Sequence, residues 1–491
     1  MIAKLDPAPI LKDFHKFKPL DHQERFWRLS REMKYYGLFW DMGTGKSKTI
    51  IDTIAWLFLR GEIDGAVIIS DKGCYMGWHD EEIAKHLPRG IQSRVAYWSS
   101  YMPSADKVRL KEIMAAQDDV LDFLCINVEA FSSGQAAGIV EQFIRMHYCL
   151  ICVDEATSIK NHKSERTKQI MRLGKMCDYR RIATGTPITQ SPLDLFSMCE
   201  FLQSGVLGFR SFVAFRAHYA VMKLVQMGPR AFMKICGFQR LDELTRRIQP
   251  FTSRVLKSEC MDIPEKIYEK IYVEQTTEQE KLYQSLKQTA LLQLDQGLLT
   301  STSAITTINK LHQINCGHVK LDDGTVVDIP CDRVTQLVDL LEKLGEKAVI
   351  WCCFQRDVEL ILAAIEERFA DTDLYAVHYY GKTGEAERRL HLEKFKADHK
   401  CRWMVGTAAT GGKGINGLQC VSRYCIYYSN SYDLEDRLQS EDRLHRHGQK
   451  WAVTYFDFVC RGTVDAKILD SHKRKEDLSF EVLDKLRSIL T

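Results

Sequence analysis

Three clusters of residues in this sequence have the types and spacing for chemistry on phosphate. The stretch "DMGTGKSKT", residues 41–49, sets Lys46 and Ser47 directly behind Gly43 and Gly45. Between a strand and a helix, such a loop turns backbone N–H groups from Gly43 to Lys46 toward a phosphate at the helix N-terminus. Lys46 then reaches the β- and γ-phosphates, and the Ser47 hydroxyl ligates magnesium. The usual pattern has a further glycine where this chain has Trp40, so a plain glycine turn carrying a lysine is the alternative. The flanks "GLFW" and "SKTIIDTIAWLFLR" read as an incoming strand and an outgoing helix, which a plain turn does not need.

In the second cluster, "YCLICVDEATSIK", an apolar strand runs straight into Asp154 and Glu155. Open α/β sheets bind their ligands at that end of a strand. Asp154 can hold Mg²⁺ there, and Glu155 can orient or deprotonate an attacking water. The third cluster is "QSEDRLHRHGQK". Gln439, Arg443 and Arg446 fall at i, i+4 and i+7, which predicts one helix face ended by Gly448. Guanidinium groups aimed at a γ-phosphate stabilise transition-state charge.

The elements that would position these clusters come in two series. "GAVIIS", "DFLCINV", "YCLICVDE" and "YRRIATGT" alternate with helical patterns in the first half. "EKAVIWCCF", "LYAVHYY", "RWMVGTA", "RYCIYYS" and "VTYFDFV" do so in the second. Strands separated by helices imply parallel sheets covered on both faces, an α/β architecture with two sheets. From about 192 to about 328 the strand signal fades into helical spacing, with Thr277 and Glu280 at capping-box separation. The tail from Val464 reads as helix.

A chain of 491 residues exceeds one hydrophobic core, so two or three domains are expected. Apolar residues make up 45% and charged residues 27%, and no apolar run is long enough to span a membrane. With no signal-like N-terminus and 16 cysteines scattered singly through apolar runs, a reducing, cytoplasmic setting is expected. Cys149 and Cys152 have metal-like spacing but lie on one strand, where their side chains face opposite ways. His312, Cys316 and His318 read as polar groups at a helix end. The net charge of +3 means that nucleic-acid binding would need a local basic stripe.

In the order of its motifs the chain resembles helicase superfamily two, and within it the Swi/Snf-type DNA-dependent ATPases. "KPLDHQ" resembles the adenine-reading segment and nominates Gln23. "DMGTGKSKT" is similar to that family's motif I, whose members often lack the early glycine, and adds Met42, Thr44 and Lys48 to the ATP-binding set. Trp78, followed by acidic residues, marks the next segment. "VDEATSIKN" resembles the acidic motif, and "ATGTP" the motif that couples ATP state to lobe movement through Thr184 and Thr186. "VGTAATGGKGIN" and "QSEDRLHRHGQ" resemble motifs V and VI, adding Gly414 and Gln439 at ATP. "GTVDAKI" resembles the start of a C-terminal bracing helix.

The resemblance implies two RecA-like parallel-sheet lobes, 1–250 and 251–491, with ATP between them. Helical insertions are expected from about 192 and at about 270–328, and a brace at about 464–491. It implies ATP and Mg²⁺, and a translocase on duplex or branched DNA that ignores base sequence. Lys72, Lys382, Thr383, Gly411 and Gly412 are the implied DNA contacts. A strand-separating helicase, an RNA motor and an ATP-gated clamp are the alternatives. Asp71 replaces the family's usual proline, which puts the phosphate contact near Lys72 in question, and Thr410 replaces alanine. The short inter-lobe region and the lack of chromatin-reading modules imply a minimal, monomeric motor of bacterial or phage type.

Overall fold

"GAVIIS" and "CLICV" are apolar at every position rather than alternating, so a sheet built from them has to be covered on both faces. The computed structural model describes residues 14–227, 230–296, 301–412 and 415–487. It is an α/β protein whose chain divides into two compact units. The first runs to Val221 and includes Gly237–Asp262 and the described end of the chain from Lys475; the second comprises Ile263–Arg474 with the short stretch Met222–Cys236.

The first unit holds a seven-stranded parallel sheet in the order β3-β4-β2-β5-β6-β1-β9. The strands are β1 Tyr35–Trp40, β2 Gly65–Ser70, β3 Gln92–Trp98, β4 Val120–Asn127, β5 Cys149–Asp154, β6 Tyr179–Ala183 and β9 Thr252–Val255. The helix Lys46–Leu59 is buried along most of its length, which its run "TIIDTIAWLF" allows. Its Ile50, Ile54 and Trp56 join Trp27 and Trp40 in one core. Trp27 and Trp56 meet edge-on at 5.7 Å.

The second unit has a six-stranded parallel sheet in the order β10-β17-β16-β13-β15-β14. Its members are β10 Lys266–Val273, β13 Ala348–Cys352, β14 Tyr375–Tyr379, β15 Cys401–Thr407, β16 Tyr424–Tyr427 and β17 Val453–Cys460. Among the described residues two two-stranded sheets complete the strands: β7 Ala220–Met227 with β8 Arg230–Phe238, and the antiparallel β11 His318–Lys320 with β12 Val326–Asp328. No described helix is long and apolar enough to cross a membrane.

Three details differ from the sequence expectation. The first sheet takes β9 from beyond residue 250, so the division falls at Asp262. The stretch from 192 holds the helices Leu195–Leu202, Phe212–Tyr219 and Leu241–Ile248, but also the β7–β8 pair. In that pair, β propensity wins over weak helical spacing. In the second insertion, the helix Thr277–Asp295 is capped one residue earlier than expected. Thr276 Oγ1 accepts from the Gln279 amide at 3.2 Å, and Gln279 Oε1 accepts from the Thr276 amide at 3.0 Å.

The described cysteines form no disulfide; Cys149 and Cys152 are buried free thiols. His318 hydrogen-bonds Asp357 at 2.8 Å, and His312 lies 3.8 Å from Asp465.

Glu441 ties a helix to the second sheet. It lies on Leu434–Asp442, and its carboxylate is buried among Lys266 (2.8 Å), the Tyr268 hydroxyl (2.7 Å) and Arg437 (2.7 Å). Burial alone would raise its pKa, but Lys266 and then Arg437 outweigh it and bring the value from 4.5 to about 2. Its stabilisation is therefore complete above pH 4.5 and lost as pH falls toward 2. Glu441→Gln leaves the buried Arg437 with Asp457 as its remaining carboxylate and takes the partner from the part-exposed Lys266, and is expected to cost roughly 1.5–3 kcal/mol at neutral pH. Urea unfolding as a function of pH measures both. The difference between variant and wild type should shrink steadily between pH 4.5 and 2.

Candidate active site

β1 ends at Trp40, and the next five residues turn the chain into the helix that starts at Lys46. The turn needs two left-handed residues: φ is +79° at Gly43 and +85° at Gly45. A side chain would strain either one. Gln23, on the helix Asp21–Ser30, clamps the turn from outside. Its Oε1 accepts from the Leu20 amide at 2.8 Å, and its Nε2 donates to the carbonyls of Thr44 (3.4 Å) and Gly45 (3.2 Å). His22 Nε2 donates to the same Thr44 carbonyl at 2.8 Å. On the other side Asp41 accepts from the Lys257 amide and from Arg254 Nη2, both at 3.0 Å. The sequence reading missed Lys257, whose ammonium lies 3.9 Å from where a Cβ on Gly43 would stand.

Lys46 Nζ donates to the carbonyls of Trp40 (3.0 Å) and Asp41 (3.3 Å), inside the loop. Two members of the expected ATP-binding set face elsewhere. Thr44 is buried with its hydroxyl (2.7 Å) and its amide (3.4 Å) both on the Asp41 carbonyl, so its N–H is not part of an open cradle. Lys48 is drawn into a buried pair with Asp52 at 2.5 Å, which His15 joins at 2.9 Å. Its charge belongs to the helix rather than to a ligand. Met42 is buried against the "ATGTP" turn, 2.9 Å from where a Cβ on Gly185 would lie. Ser47 is partly exposed in the first helical turn.

The strand order places β6 between β5 and β1, so the carboxyl ends of three adjacent strands carry the acidic pair, Thr184 and the loop. Asp154 Oδ2 accepts from Trp78 Nε1 at 2.8 Å, and Oδ1 accepts from the Glu155 amide at 3.0 Å. Burial raises the pKa of Asp154, Lys46 is the main opposing influence, and Asp71 pushes it further up. Asp71, the departure expected to affect a contact near Lys72, is buried and acts on this carboxylate; Lys72 is exposed. Trp78 opens a π-helical turn, Trp78–Glu82, the kind of local irregularity that recurs at functional sites. The sequence marked Trp78 as part of a motif but offered it no role.

Glu155 has φ +48°, one of three described non-glycine residues at positive φ. Such strain is held only where the surroundings over-determine it. Its Oε2 accepts from the Thr184 hydroxyl at 3.4 Å, whose oxygen accepts from the Thr186 amide at 3.2 Å. The Ser47 hydroxyl and the Asp154 carboxylate are hard oxygen donors of the kind magnesium takes, and a carboxylate pushed toward neutrality by burial gains most from a nearby dication. The donor set fits that ion. A cleft of about 630 Å³ lies beside the loop's clamp, lined by Leu20, His22, Phe26, Arg254 and their neighbours.

In the second unit the expected helix face is not formed. The helix Leu434–Asp442 stops before Arg443, so Arg443 and Arg446 sit in the turns beyond it. The Glu441 carbonyl accepts from the Tyr455 hydroxyl at 3.0 Å as well as from the His445 amide at 3.0 Å, while Glu441 itself is pinned to the sheet. The arginines still converge. Arg443 Nη1 donates to the Ile415 carbonyl at 3.1 Å, and Arg446 Nη1 donates to Asn416 Oδ1 at 2.8 Å. Gln439 is buried; its side chain donates to Glu435 at 3.2 Å, and only its carbonyl meets the arginines, accepting from Arg443 Nε at 3.3 Å.

The expected DNA contacts fare unevenly. Lys382 is exposed and pairs with Glu359 at 2.6 Å. Thr383 is buried, with its hydroxyl on His378 Nδ1 at 2.9 Å. Gly411 and Gly412 are buried for packing: a Cβ would stand 2.3 Å from the Trp351 ring at the first and 2.6 Å from the Ala408 carbonyl at the second. The Gly412 amide already donates to that carbonyl at 2.7 Å. Gly414 lies outside the described residues.

This architecture and these motifs coincide with known domains. The SNF2-related domain matches residues 22–320, and the helicase conserved C-terminal domain matches 332–448. The chain belongs to the SNF2-related family. It is 24% identical to an uncharacterised ATP-dependent helicase of Mycoplasma pneumoniae, over 92% of this chain and 40% of that protein. It is 25% identical to the human TATA-binding protein-associated factor 172, over 71% of this chain and 21% of that one. The chain thus spans less than half the length of these relatives. The SWI2/SNF2 ATPase core of Sulfolobus solfataricus in complex with double-stranded DNA aligns over 98% of both chains, with a TM-score of 0.42 and 21% identity.

Gly45 gives the sharpest test of the loop. A Cβ there would lie 1.9 Å from Gln23 Nε2, on a backbone that already disfavours side chains. Gly45→Ala is expected to weaken ATP binding by about tenfold or more, the effect of roughly 1.4 kcal/mol of lost positioning. Equilibrium titration with a fluorescent ATP analogue measures it, with circular dichroism confirming the fold.

Proposed function

We propose that this protein hydrolyses ATP at the loop and acidic pair of its first unit and uses the cycle to move along duplex DNA. The observation that carries the proposal is the grouping of Lys46, Asp154, Glu155 and Thr184 at the ends of three neighbouring strands.

In this reading, Lys46 leaves the Trp40 and Asp41 carbonyls and takes up the β- and γ-phosphates, exchanging two neutral acceptors for charged ones. Gln23 and His22 keep the Thr44 and Gly45 carbonyls turned away, so the strained turn keeps its shape while the ligand changes. Ser47 and Asp154 would hold magnesium, which would supply charge neutralisation on the triphosphate. Trp78 fixes the Asp154 carboxylate, and Thr184 fixes Glu155, which orients the attacking water and takes its proton. Hydrolysis changes what Glu155 faces, and Thr184 relays the change to the "ATGTP" turn through the Thr186 amide. The likeness of "QSEDRLHRHGQ" to motif VI supports a part in turnover for Arg443 and Arg446.

A clamp that binds ATP without turnover needs no strained glutamate held against a threonine, so the hydrolytic reading is preferred. Duplex DNA is proposed from the likeness of the motifs to those of Swi/Snf-type ATPases, with exposed Lys72 and Lys382 as phosphate contacts that position without reading sequence.

The test is the ATPase rate with no nucleic acid, single-stranded DNA, duplex DNA, forked DNA and RNA side by side. Duplex DNA is expected to stimulate most, and scrambling its sequence to change little. Affinity should fall log-linearly with salt as phosphate contacts release counterions. Stimulation by RNA alone would overturn the duplex-DNA assignment while leaving ATP hydrolysis in place.

A further inference from the structure

We propose that His378, Glu387 and His391, in the second unit, form a binding site for a divalent transition-metal ion of the zinc type. His378 lies on β14, the edge strand of the second sheet, and Glu387 and His391 lie one turn apart on the helix Glu385–Ala397. A separation of four residues puts the glutamate and the second histidine on one helix face, here the face turned toward β14.

The ligand atoms already converge. Glu387 Oε1 is 3.6 Å from His378 Nε2 and 3.9 Å from His391 Nε2, and all three ligand atoms lie within 4.8 Å of one another. Tetrahedral zinc with bonds of ~2.1 Å spaces its ligand atoms about 3.4 Å apart. Small side-chain movements therefore close the site. Two imidazoles and one carboxylate leave a fourth position for water or another donor.

The neighbouring hydrogen bonds orient the imidazoles for this role. His391 Nδ1 lies 2.8 Å from the His378 carbonyl. A carbonyl only accepts, so Nδ1 carries a proton, and in the neutral ring the Nε2 lone pair faces Glu387. His378 Nδ1 lies 2.9 Å from the Thr383 hydroxyl, whose oxygen also accepts from the Tyr380 amide at 3.3 Å. That hydroxyl can accept from a protonated Nδ1 as well, leaving Nε2 of His378 free to ligate. Metal-bound histidines generally donate their second ring nitrogen to a fixed oxygen in this manner. His391 is largely shielded and His378 about one-third exposed, whereas Glu387 is about half exposed, so an ion enters from the glutamate side. The ion would staple β14 to the helix on either side of the 380–384 turn, which carries Lys382.

The test uses full-length protein freed of metal by a chelator and titrated calorimetrically with Zn²⁺, then with Co²⁺ as a spectroscopic probe. One equivalent is expected to bind through nitrogen and oxygen, with ligand-field bands and no thiolate-to-cobalt charge transfer. His378→Gln and His391→Gln should each weaken binding by at least about tenfold. Thr383→Val, which removes the hydrogen bond behind His378 together with the one from the Tyr380 amide, should weaken it by roughly 10–100-fold. Glu387→Gln, at an exposed position, serves as the variant least disturbing to the fold. No binding by wild type, variants that bind as wild type does, or a thiolate charge-transfer band assigning the ion to cysteines such as Cys236 or Cys420 would each overturn the proposal.

Discussion

An ammonium group held at the carboxyl edge of a parallel sheet is the interaction on which the first unit depends. Among the described residues Lys46 has no carboxylate at bonding distance; it is satisfied by two carbonyls of its own loop, and its charge is the chief counterweight to the burial of Asp154. Remove the ammonium and Asp154 moves further toward its neutral form, while the loop loses the group that ties its two ends. The loop can keep Lys46 in this place only because Gly43 and Gly45 adopt left-handed conformations and because Gln23, His22, Arg254 and Lys257 hold its carbonyls and Asp41 from both sides. Helix, loop and three strand ends form one mechanical unit around a charge that is poised rather than paired.

The parts of this unit that lie close together in sequence were legible. The strand–loop–helix around Lys46 and the acidic pair after β5 declare themselves by type and spacing, because the backbone that positions them is continuous. The clamps were not. Arg254 and Lys257 reach Asp41 from more than two hundred residues away, and Trp78 reaches Asp154 from another strand's end. Nothing in periodicity encodes those meetings; only the likeness of whole motifs pointed to Gln23 and Trp78. Lys48 shows the opposite error. It shares the loop's motif, yet Asp52 one turn along the same helix offers it a buried partner, and a local ion pair wins.

In the second unit, spacing alone misled. Gln439, Arg443 and Arg446 are in register only if their helix continues, and it stops at Asp442, where the Glu441 carbonyl also serves Tyr455. The two arginines come together through the turns instead, on Ile415 and Asn416. Gly411 and Gly412 resemble a ligand-facing pair in sequence, but in the structure they let the chain pass the Trp351 indole and the helix that carries Ser440. A glycine pair signals close approach; the sequence does not say whether the approaching body is a phosphate or the protein's own core.

The central claim is that a strained, threonine-held Glu155 makes this a hydrolytic site and not merely a binding one. Glu155→Gln keeps the shape, the φ of +48° and the Thr184 contact while removing the base. The direct measurement is ATP affinity and single-turnover hydrolysis of this variant beside wild type, with duplex DNA present. The account predicts affinity within about threefold of wild type and a hydrolysis rate lower by roughly two orders of magnitude or more. A variant that hydrolyses ATP at the wild-type rate would contradict it.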